Sequence, residues 1–189
     1  MVPTEYAIQP LTPERWEDFT TLFGSHGAVG GCWCMYFRRD GAWKDRNGDQ
    51  NREQMHGLVQ GGTVTGLLAY AGEQPVGWVS LAPRSDYAAL ARSRVLAPVD
   101  EQPVWSIVCF FIARKWRRKG VMRALLRGAV DYAAAHGAQI VEAYPMDHEG
   151  KVDDLSSYMG LLKPFLAEGF VEVARRSENH PVVRKNVKE

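Results

Sequence analysis

Residues 104–136 read VWSIVCFFIARKWRRKGVMRALLRGAVDYAAAH, and this stretch decides the fold. An apolar run from Trp105 to Ile112 ends in a basic turn, Arg114-Lys115-Trp116-Arg117-Arg118-Lys119-Gly120, and an amphipathic segment follows at once. The length of the run, its Val, Ile, Phe and Trp content and the preceding Pro103 predict a buried strand. After the turn, Val121, Leu125, Leu126, Ala129, Tyr132 and Ala133 recur at three- and four-residue spacing, with Arg123, Arg127 and Asp131 on the other side. That pattern predicts a helix packed on one face, stopped by Gly137. Residues 139–144, QIVEAY, predict a second strand, ended by Pro145. Strand, helix and strand over so short a span imply a right-handed parallel crossover.

A strand feeding a glycine-containing turn at a helix N-terminus makes an anion site, because the first helical N–H groups lack intrahelical partners and the helix dipole favours negative charge there. Five of the six residues from Arg114 to Lys119 are basic, which adds Coulomb attraction to the backbone cradle. A basic run elsewhere would read as a solvated turn; at a strand-to-helix junction it predicts a phosphate-bearing ligand. Two competing motifs are set aside. A single glycine in the turn makes no G-x-G-x-x-G dinucleotide fingerprint, and the G-K-[ST] ending of an NTPase phosphate loop is missing.

At this point a resemblance becomes specific. Residues 110–122, FFIARKWRRKGVM, resemble the acyl-CoA-binding motif of the GNAT superfamily of N-acyltransferases, a hydrophobic strand end followed by R/Q-x-x-G-x-G/A. Arg117 takes the first position and Gly120 the essential glycine. Met122 replaces the usual small final residue, and Arg118 stands where many members have glycine. The resemblance runs from the first strand near Tyr6 to the end of the chain. It includes Phe165-Leu166-Ala167-Glu168-Gly169-Phe170, which is similar to the family's aromatic-x-x-x-Gly-Phe ending of the last helix. It implies an α+β fold, with a mixed, mostly antiparallel central sheet around a parallel βαβ acyl-CoA-binding core. It also implies that Phe110, Phe111, Ile112, Arg117, Arg118, Lys119, Gly120, Val121 and Met122 bind acetyl-CoA, the acyl donor.

Composition agrees with one domain spanning 1–189. At 189 residues and 46% apolar content the chain can bury a large core without staples. A net charge of +1 makes the basic cluster local and argues against nucleic acid as a partner. No leader-like apolar run opens the sequence, and none approaches the ~20 residues a membrane helix needs, so a cytoplasmic location without membrane attachment is expected. Cys32, Cys34 and Cys109 form an odd set with no disulfide framework. Cys32-Trp33-Cys34 invites a metal reading with His26 and His56, but neither spacing matches a zinc pattern, so no metal is expected. Cys109 in its buried strand reads as a small hydrophobe, and no nucleophilic triad is recognisable.

Elsewhere, Tyr6 to Gln9 predicts a short strand. Thr12-Pro13-Glu14 predicts a helix start, with Thr12 as N-cap and the helix ending near Gly24. Residues 66–70 and 76–81 predict two strands joined around Gly72-Glu73-Gln74-Pro75 as a hairpin. Residues 155–168 predict the last helix, and 170–174 with 181–187 a closing strand pair. No repeat or linker divides the chain. The segment from Gly24 to Gly62 reads as a long connection rich in Gly, Trp and charge, the kind that forms binding surfaces on a rigid scaffold. In the family, the corresponding segment helps shape the acceptor pocket, which makes Trp33, Tyr36 and Phe37 candidate substrate contacts and brings Trp43 into view. The alternative is that these aromatics cap the core, and mixed roles are common.

The resemblance implies transfer of an acyl group, usually acetyl, from CoA to a primary amine of a small molecule, amino acid or peptide by direct attack. A lysine-like amine has a pKa of ~10.4, so its deprotonation at neutral pH costs about 4–5 kcal/mol, whereas the leaving thiol ionises near ~8.5. Backbone N–H groups near Phe111 and Ile112 would polarise the thioester carbonyl. Many members carry a tyrosine general acid four residues before the Gly-Phe glycine; here that position is Phe165. Tyr158 stands seven residues earlier, where members often have asparagine. On a continuous helix that spacing sets Tyr158 and Phe165 on one face, about 10 Å apart along the axis, and makes Tyr158 a candidate acid. Base candidates are Glu142 on the second parallel strand, Asp147 and His148 just beyond it, and Glu101 before the central strand; His148 titrates nearest neutrality. The competing reading, kept open by Phe165, is a non-catalytic acyl-CoA-binding or sensor domain. Acceptor identity, acyl-chain preference and assembly, a homodimer included, stay open.

Overall fold

The strand and helix expected from residues 104–136 form the centre of the molecule. In the computed structural model, which describes residues 5–39, 48–148 and 158–187, seven strands make one sheet. They are β1 (Ala7–Pro10), β2 (Gly66–Ala71), β3 (Gln74–Pro83), β4 (Trp105–Ile112), β5 (Ile140–Ala143), β6 (Val171–Arg175) and β7 (Pro181–Asn186), in the order β1-β2-β3-β4-β5-β7-β6. Every neighbouring pair is antiparallel except β4 and β5, which run parallel. The expected mixed, mostly antiparallel α+β sheet is therefore what the chain builds. Among the described residues the α-helices are α1 (Trp16–Phe23), α2 (Gly48–Gln60), α3 (Ala88–Arg92), α4 (Val121–Ala135) and α5 (Leu162–Ala167).

Alternation along the strands sends side chains to two faces. Leu67 and Ala69 of β2, Val79 and Leu81 of β3 and Ile107 of β4 pack with Val121, Leu125, Leu126 and Ala129 of α4. Leu68, Tyr70 and Trp78 point the other way, onto Phe19 and Phe23 of α1 and Met55 and Val59 of α2. Each large apolar side chain so buried contributes about 1.5–3 kcal/mol. Helix α4 lies close on β3 because Gly77 has no side chain; a Cβ there would sit 2.6 Å from Val121 Cγ1.

Two features of β4 prepare a site. A bulge shifts its register against β3 between the pairs Ser80–Cys109 and Leu81–Ile107, and such an extra residue bends the strand. Its pairing with β5 covers only Trp105–Val141 to Ile107–Ala143, so the second half of β4 parts from its parallel neighbour.

The sequence expectations need four corrections here. The segment from Gly24 to Gly62 is not simply a connection, since it contains α2, with Asn51, Met55 and Val59 buried. Asn51 Nδ2 donates to Gly31 O (2.7 Å) and its Oδ1 accepts from Arg39 Nη1 (3.1 Å), which ties this helix to the loop before it. Of the last helix expected over 155–168, residues 155–157 lie outside the described residues and 158–161 are not helical: α5 starts at Leu162, because Leu161 is extended and bridges Met146. Tyr158 lies in the preceding turn, so the helical-face argument linking it to Phe165 does not hold. Thr12 does not cap with its side chain; a 3-10 turn over Pro13–Arg15 precedes α1. Among the described residues no helix is long and apolar enough to cross a membrane, and no group of three or more His, Cys, Asp or Glu side chains is placed to hold a metal ion.

Candidate active site

Where β4 leaves β5, a cavity of about 1240 Å³ opens and runs to the N-terminus of α4. One end is basic, lined by Arg114, Arg117, Arg118, Arg123 and Lys163; the other is aromatic and sulfur-bearing, lined by Phe23, Tyr36, Phe37, Tyr158 and the three cysteines. Strand β4 forms the wall between them through Phe110, Phe111 and Ile112.

The basic end is built by backbone conformation. Gly120 is the N-cap of α4 at φ +85°, in the left-handed region that favours glycine, and a Cβ added there would meet nothing within 4 Å. The open space in front of it is a cradle that a ligand can enter. The first intrahelical bond runs from Ala124 N to Gly120 O (3.1 Å), leaving the N–H groups of Val121, Met122 and Arg123 without an intrahelical acceptor. Arg118 also has a left-handed backbone, φ +60°, although it is not glycine. The turn demands this conformation, and arginine adopts it at a cost of roughly 1–2 kcal/mol. Arg117 Nε donates to Ile112 O (3.2 Å), pinning the guanidinium against the strand end.

The β4 wall offers a directed N–H. Ala113 N donates to Val76 O of β3, so by strand alternation the N–H groups of Phe110 and Ile112 point away from β3 toward the groove. Phe110 N is taken by Tyr158 O (2.6 Å). Ile112 N–H lies one step further along the same edge.

The cavity gathers Phe110, Phe111, Ile112, Arg117, Arg118, Gly120, Val121 and Met122 of the expected donor-binding set, but not Lys119. The Lys119 ammonium lies over the Trp116 ring, 5.1 Å from its centroid, and its carbonyl accepts from Tyr6. Of the expected substrate contacts, Tyr36 and Phe37 line the aromatic end and Trp33 does not. Trp33 is buried, stacked on Phe23 at 5.9 Å and against Phe19 at 6.1 Å, so it belongs to the core. Phe37 does both, since it also packs against the cluster around Tyr87 and Leu90. Trp43 lies outside the described residues.

The base candidates are placed elsewhere. Glu142 is fully buried, does not line the cavity, and is spent on structure. Arg84 Nη1 donates to its Oε1 (2.9 Å), Arg184 Nε to its Oε2 (2.7 Å), and the Tyr144 hydroxyl to Oε1 (2.6 Å). Arg184 also grips Asp100 (2.7 Å), so two guanidiniums and two carboxylates form a cross-strand network. A carboxylate buried between two guanidiniums and away from the cavity is not placed to take a proton from an acceptor amine. His148 and Glu101 are exposed and outside the cavity lining, and Asp147 pairs with Arg175 (2.8 Å). His26 bonds Ser25, and the His56 ring lies tilted against Trp16 at 4.6 Å, so neither joins the cysteines.

Tyr158 does line the cavity, with Tyr36 and Phe37 rings each 6.4 Å away. Burial, with smaller contributions from Tyr36 and Cys109, pushes its hydroxyl up to about 12, so it stays protonated at neutral pH. Phe165 is fully buried against Phe110 and Phe170.

Sequence reasoning missed the cysteines' part in this site. Cys32, Cys34 and Cys109 all line the cavity, and the Cys34 sulfur accepts a hydrogen bond from Trp78 Nε1 at 3.1 Å. The C-x-C pair beside two glycines was a visible signal, but its partner Trp78 lies 44 residues away.

The Acetyltransferase (GNAT) family matches residues 14–150. Solved structures share the fold at low identity. The mosquito arylalkylamine N-acetyltransferase like 5b superposes with a TM-score of 0.59 at 11% identity, over 96% of this chain and 100% of that one. The PaiA N-acetyltransferase of Thermoplasma acidophilum, in complex with coenzyme A, gives 0.55 at 10%, over 97% and 99%. YncA of Salmonella typhimurium with its cofactor acetyl-CoA gives 0.55 at 12%, over 97% and 95%. No curated protein matches the sequence.

Proposed function

Because the chain belongs to the GNAT acetyltransferase family, we propose that it moves an acetyl group from acetyl-CoA to a primary amine of a small molecule, amino acid or peptide by direct attack. The observation that carries this reading is the single cavity joining a basic helix N-terminus to an aromatic chamber past the free edge of β4. The two ends suit the two halves of such a reaction.

At the basic end, the N–H groups of Val121 to Arg123 and the open space before Gly120 suit a pyrophosphate, and Arg114, Arg117, Arg118 and Arg123 add charge complementarity. Acetyl-CoA, held there, supplies an acetyl group activated as a thioester. The Ile112 N–H on the groove side of β4 is the donor that would stabilise charge developing on the carbonyl oxygen. Tyr36 and Phe37 shape the acceptor side, and Tyr158 is the hydroxyl available to protonate the departing thiolate.

A second reading, acyl-CoA binding without turnover, draws on Phe165, a buried ring where many family members carry an acidic hydroxyl. Thiol release from acetyl-CoA, measured across a panel of small amines, amino acids and peptides, separates the two. Amine-dependent release with the acetylated amine as product supports transfer. Tight CoA binding with no release for any amine supports the binding module.

A further inference from the structure

The chamber at the aromatic end holds a buried sulfur surrounded by donors. Cys34 is 5% exposed and faces the cavity. An indole N–H can only donate, so at 3.1 Å from Trp78 Nε1 the Cys34 sulfur is an acceptor. The Cys109 thiol on β4, which donates to the Phe110 carbonyl (3.8 Å), and the Ser80 hydroxyl on β3, which donates to the Thr65 carbonyl (3.4 Å), are its neighbours. Ser80 is in turn 3.0 Å from the Tyr87 hydroxyl. The Arg38 guanidinium, nearly buried, is fixed nearby by the Val64 carbonyl (3.2 Å), the Tyr87 ring (4.7 Å) and an ion pair with Asp86 (3.7 Å), and its positive charge favours an anion at Cys34. The other groups around the sulfur pair are Cys32 on the same loop and Tyr36 and Tyr158 across the chamber.

The loop that presents this sulfur is strained. Trp33 and Cys34 both have left-handed backbones, φ +42° and +56°, and neither is glycine. Such residues cost on the order of 1–3 kcal/mol each and persist where surrounding packing dictates them, often at functional sites. The buried Trp33 ring, stacked on Phe23, is the packing that holds the turn and aims Cys34 at Trp78. The neighbouring Cys109 thiol foremost, then the Trp78 N–H, Ser80 and Arg38, draw the Cys34 thiol below its ordinary range against its burial, and Cys109 is raised in turn. Among the described residues lining the cavity there is no carboxylate and no imidazole.

We propose that Cys34 is the base of the reaction, a role that rests on the acetyltransfer reading above. The acceptor nitrogen forms its bond to the acetyl carbonyl carbon, and the carbon–sulfur bond to CoA breaks. The proton on that nitrogen passes to the Cys34 sulfur, while the electron pair of the broken bond leaves on the CoA sulfur. Loss of the proton from Cys34 to the CoA thiolate or to solvent restores the site.

The test uses the full chain with acetyl-CoA and an amine that the wild type turns over. Cys34→Ala and Cys34→Ser are expected to lower kcat by about 10²–10⁴-fold and to abolish the acid limb of the kcat profile, while calorimetric affinity for CoA stays within about twofold. A Cys34 that only packs would instead lower the melting temperature and leave the limb in place. Cys109→Ala removes the neighbour that most favours the Cys34 thiolate and should move the acid limb to higher pH, which tests the idea even if Cys34 variants fold poorly. In the wild-type protein, the ultraviolet thiolate absorbance missing from Cys34→Ser should titrate below the usual ~8.5 of a thiol. Full kcat with an unchanged profile in Cys34→Ala overturns the proposal, and so does a Cys34 that titrates as an ordinary thiol. An acetyl mass increment on Cys34 after acetyl-CoA alone also overturns it, in favour of a covalent route. Wild type that binds CoA but acetylates no amine overturns the acetyltransfer reading and the base role with it. That result is distinct, because it precedes any variant.

Discussion

The backbone N–H of Phe110 donates to the carbonyl of Tyr158 across 2.6 Å. This bond takes the place that β5 vacates when β4 parts from it, and it fixes residue 158 to the cavity wall through main-chain atoms. The Tyr158 side chain can therefore be changed without releasing its backbone. Its hydroxyl, held protonated by burial up to about 12, is available as a donor at any working pH. A donor so much weaker than a thiol of ~8.5 gives a modest push. Tyr158→Phe is expected to cut kcat by about tenfold and leave the KM for acetyl-CoA nearly unchanged. The deficit should shrink at high pH, where the departing thiolate needs no proton. A variant with full kcat would make Tyr158 a packing residue.

Gly120 tests the phosphate cradle. Because a Cβ there meets no protein atom within 4 Å, the side chain of Gly120→Val starts into open space. It carries the backbone strain of a branched residue at φ +85°, roughly 1–2 kcal/mol, and fills the space before the helix N-terminus. CoA affinity measured by calorimetry should fall by at least about tenfold. Gly137→Val is the control: its φ is +84°, a Cβ there also meets nothing, and it lies at the other end of α4. Equal affinity loss in both variants would assign the effect to strain and remove the cradle.

Glu142 separates a structural carboxylate from a chemical one. Glu142→Gln leaves Arg184 with Asp100 and takes the carboxylate from the buried Arg84, whose other partners are the Tyr144 hydroxyl and the Leu90 and Leu96 carbonyls. Removing one partner from such a pair costs about 3–5 kcal/mol. For a chain of this size each kcal/mol moves Tm by about 2–4 °C, so a drop on the order of 10 °C is expected. Turnover measured well below the new Tm should keep its pH profile. A preserved Tm with a hundredfold loss of kcat would instead return Glu142 to the role of base.

The parts of this molecule legible in the sequence are those set by neighbours in the chain. An apolar strand, a left-handed glycine and a three-four repeat of apolar residues specify β4, the turn and α4 locally, and the phosphate cradle comes with them. What was hidden depends on distant partners. Nothing near Glu142 announces that Arg84, 58 residues away, and Arg184, 42 away, will bury its charge. The start of α5 is set by a bridge from Leu161 to Met146, so periodicity alone extends the helix too far. Helix α2 was readable, since Asn51, Met55 and Val59 are spaced four apart, but a polar residue leads the stripe and blurs it. The inward turn of Trp33 follows from a left-handed backbone that residue type does not foretell.

Trp33 and Tyr36 therefore make opposite predictions from three positions apart. Trp33 is 4% exposed and stacked on Phe23, so Trp33→Ala leaves a large cavity in the core and should cost about 3–5 kcal/mol in a thermal melt. Tyr36 is 43% exposed, lines the chamber, and meets Phe37 edge-on at 4.9 Å. Losing it removes little core packing, so Tyr36→Ala should shift Tm by no more than about 1 kcal/mol equivalent. Its effect belongs to the acceptor: KM for the amine should rise several-fold while KM for acetyl-CoA holds, since the basic end of the cavity is untouched. Steady-state kinetics in both substrates, read beside the melts, checks the pair together. If Tyr36→Ala raises both KM values equally, the aromatic end does not select the acceptor, and that side of the site must be sought elsewhere along the cavity.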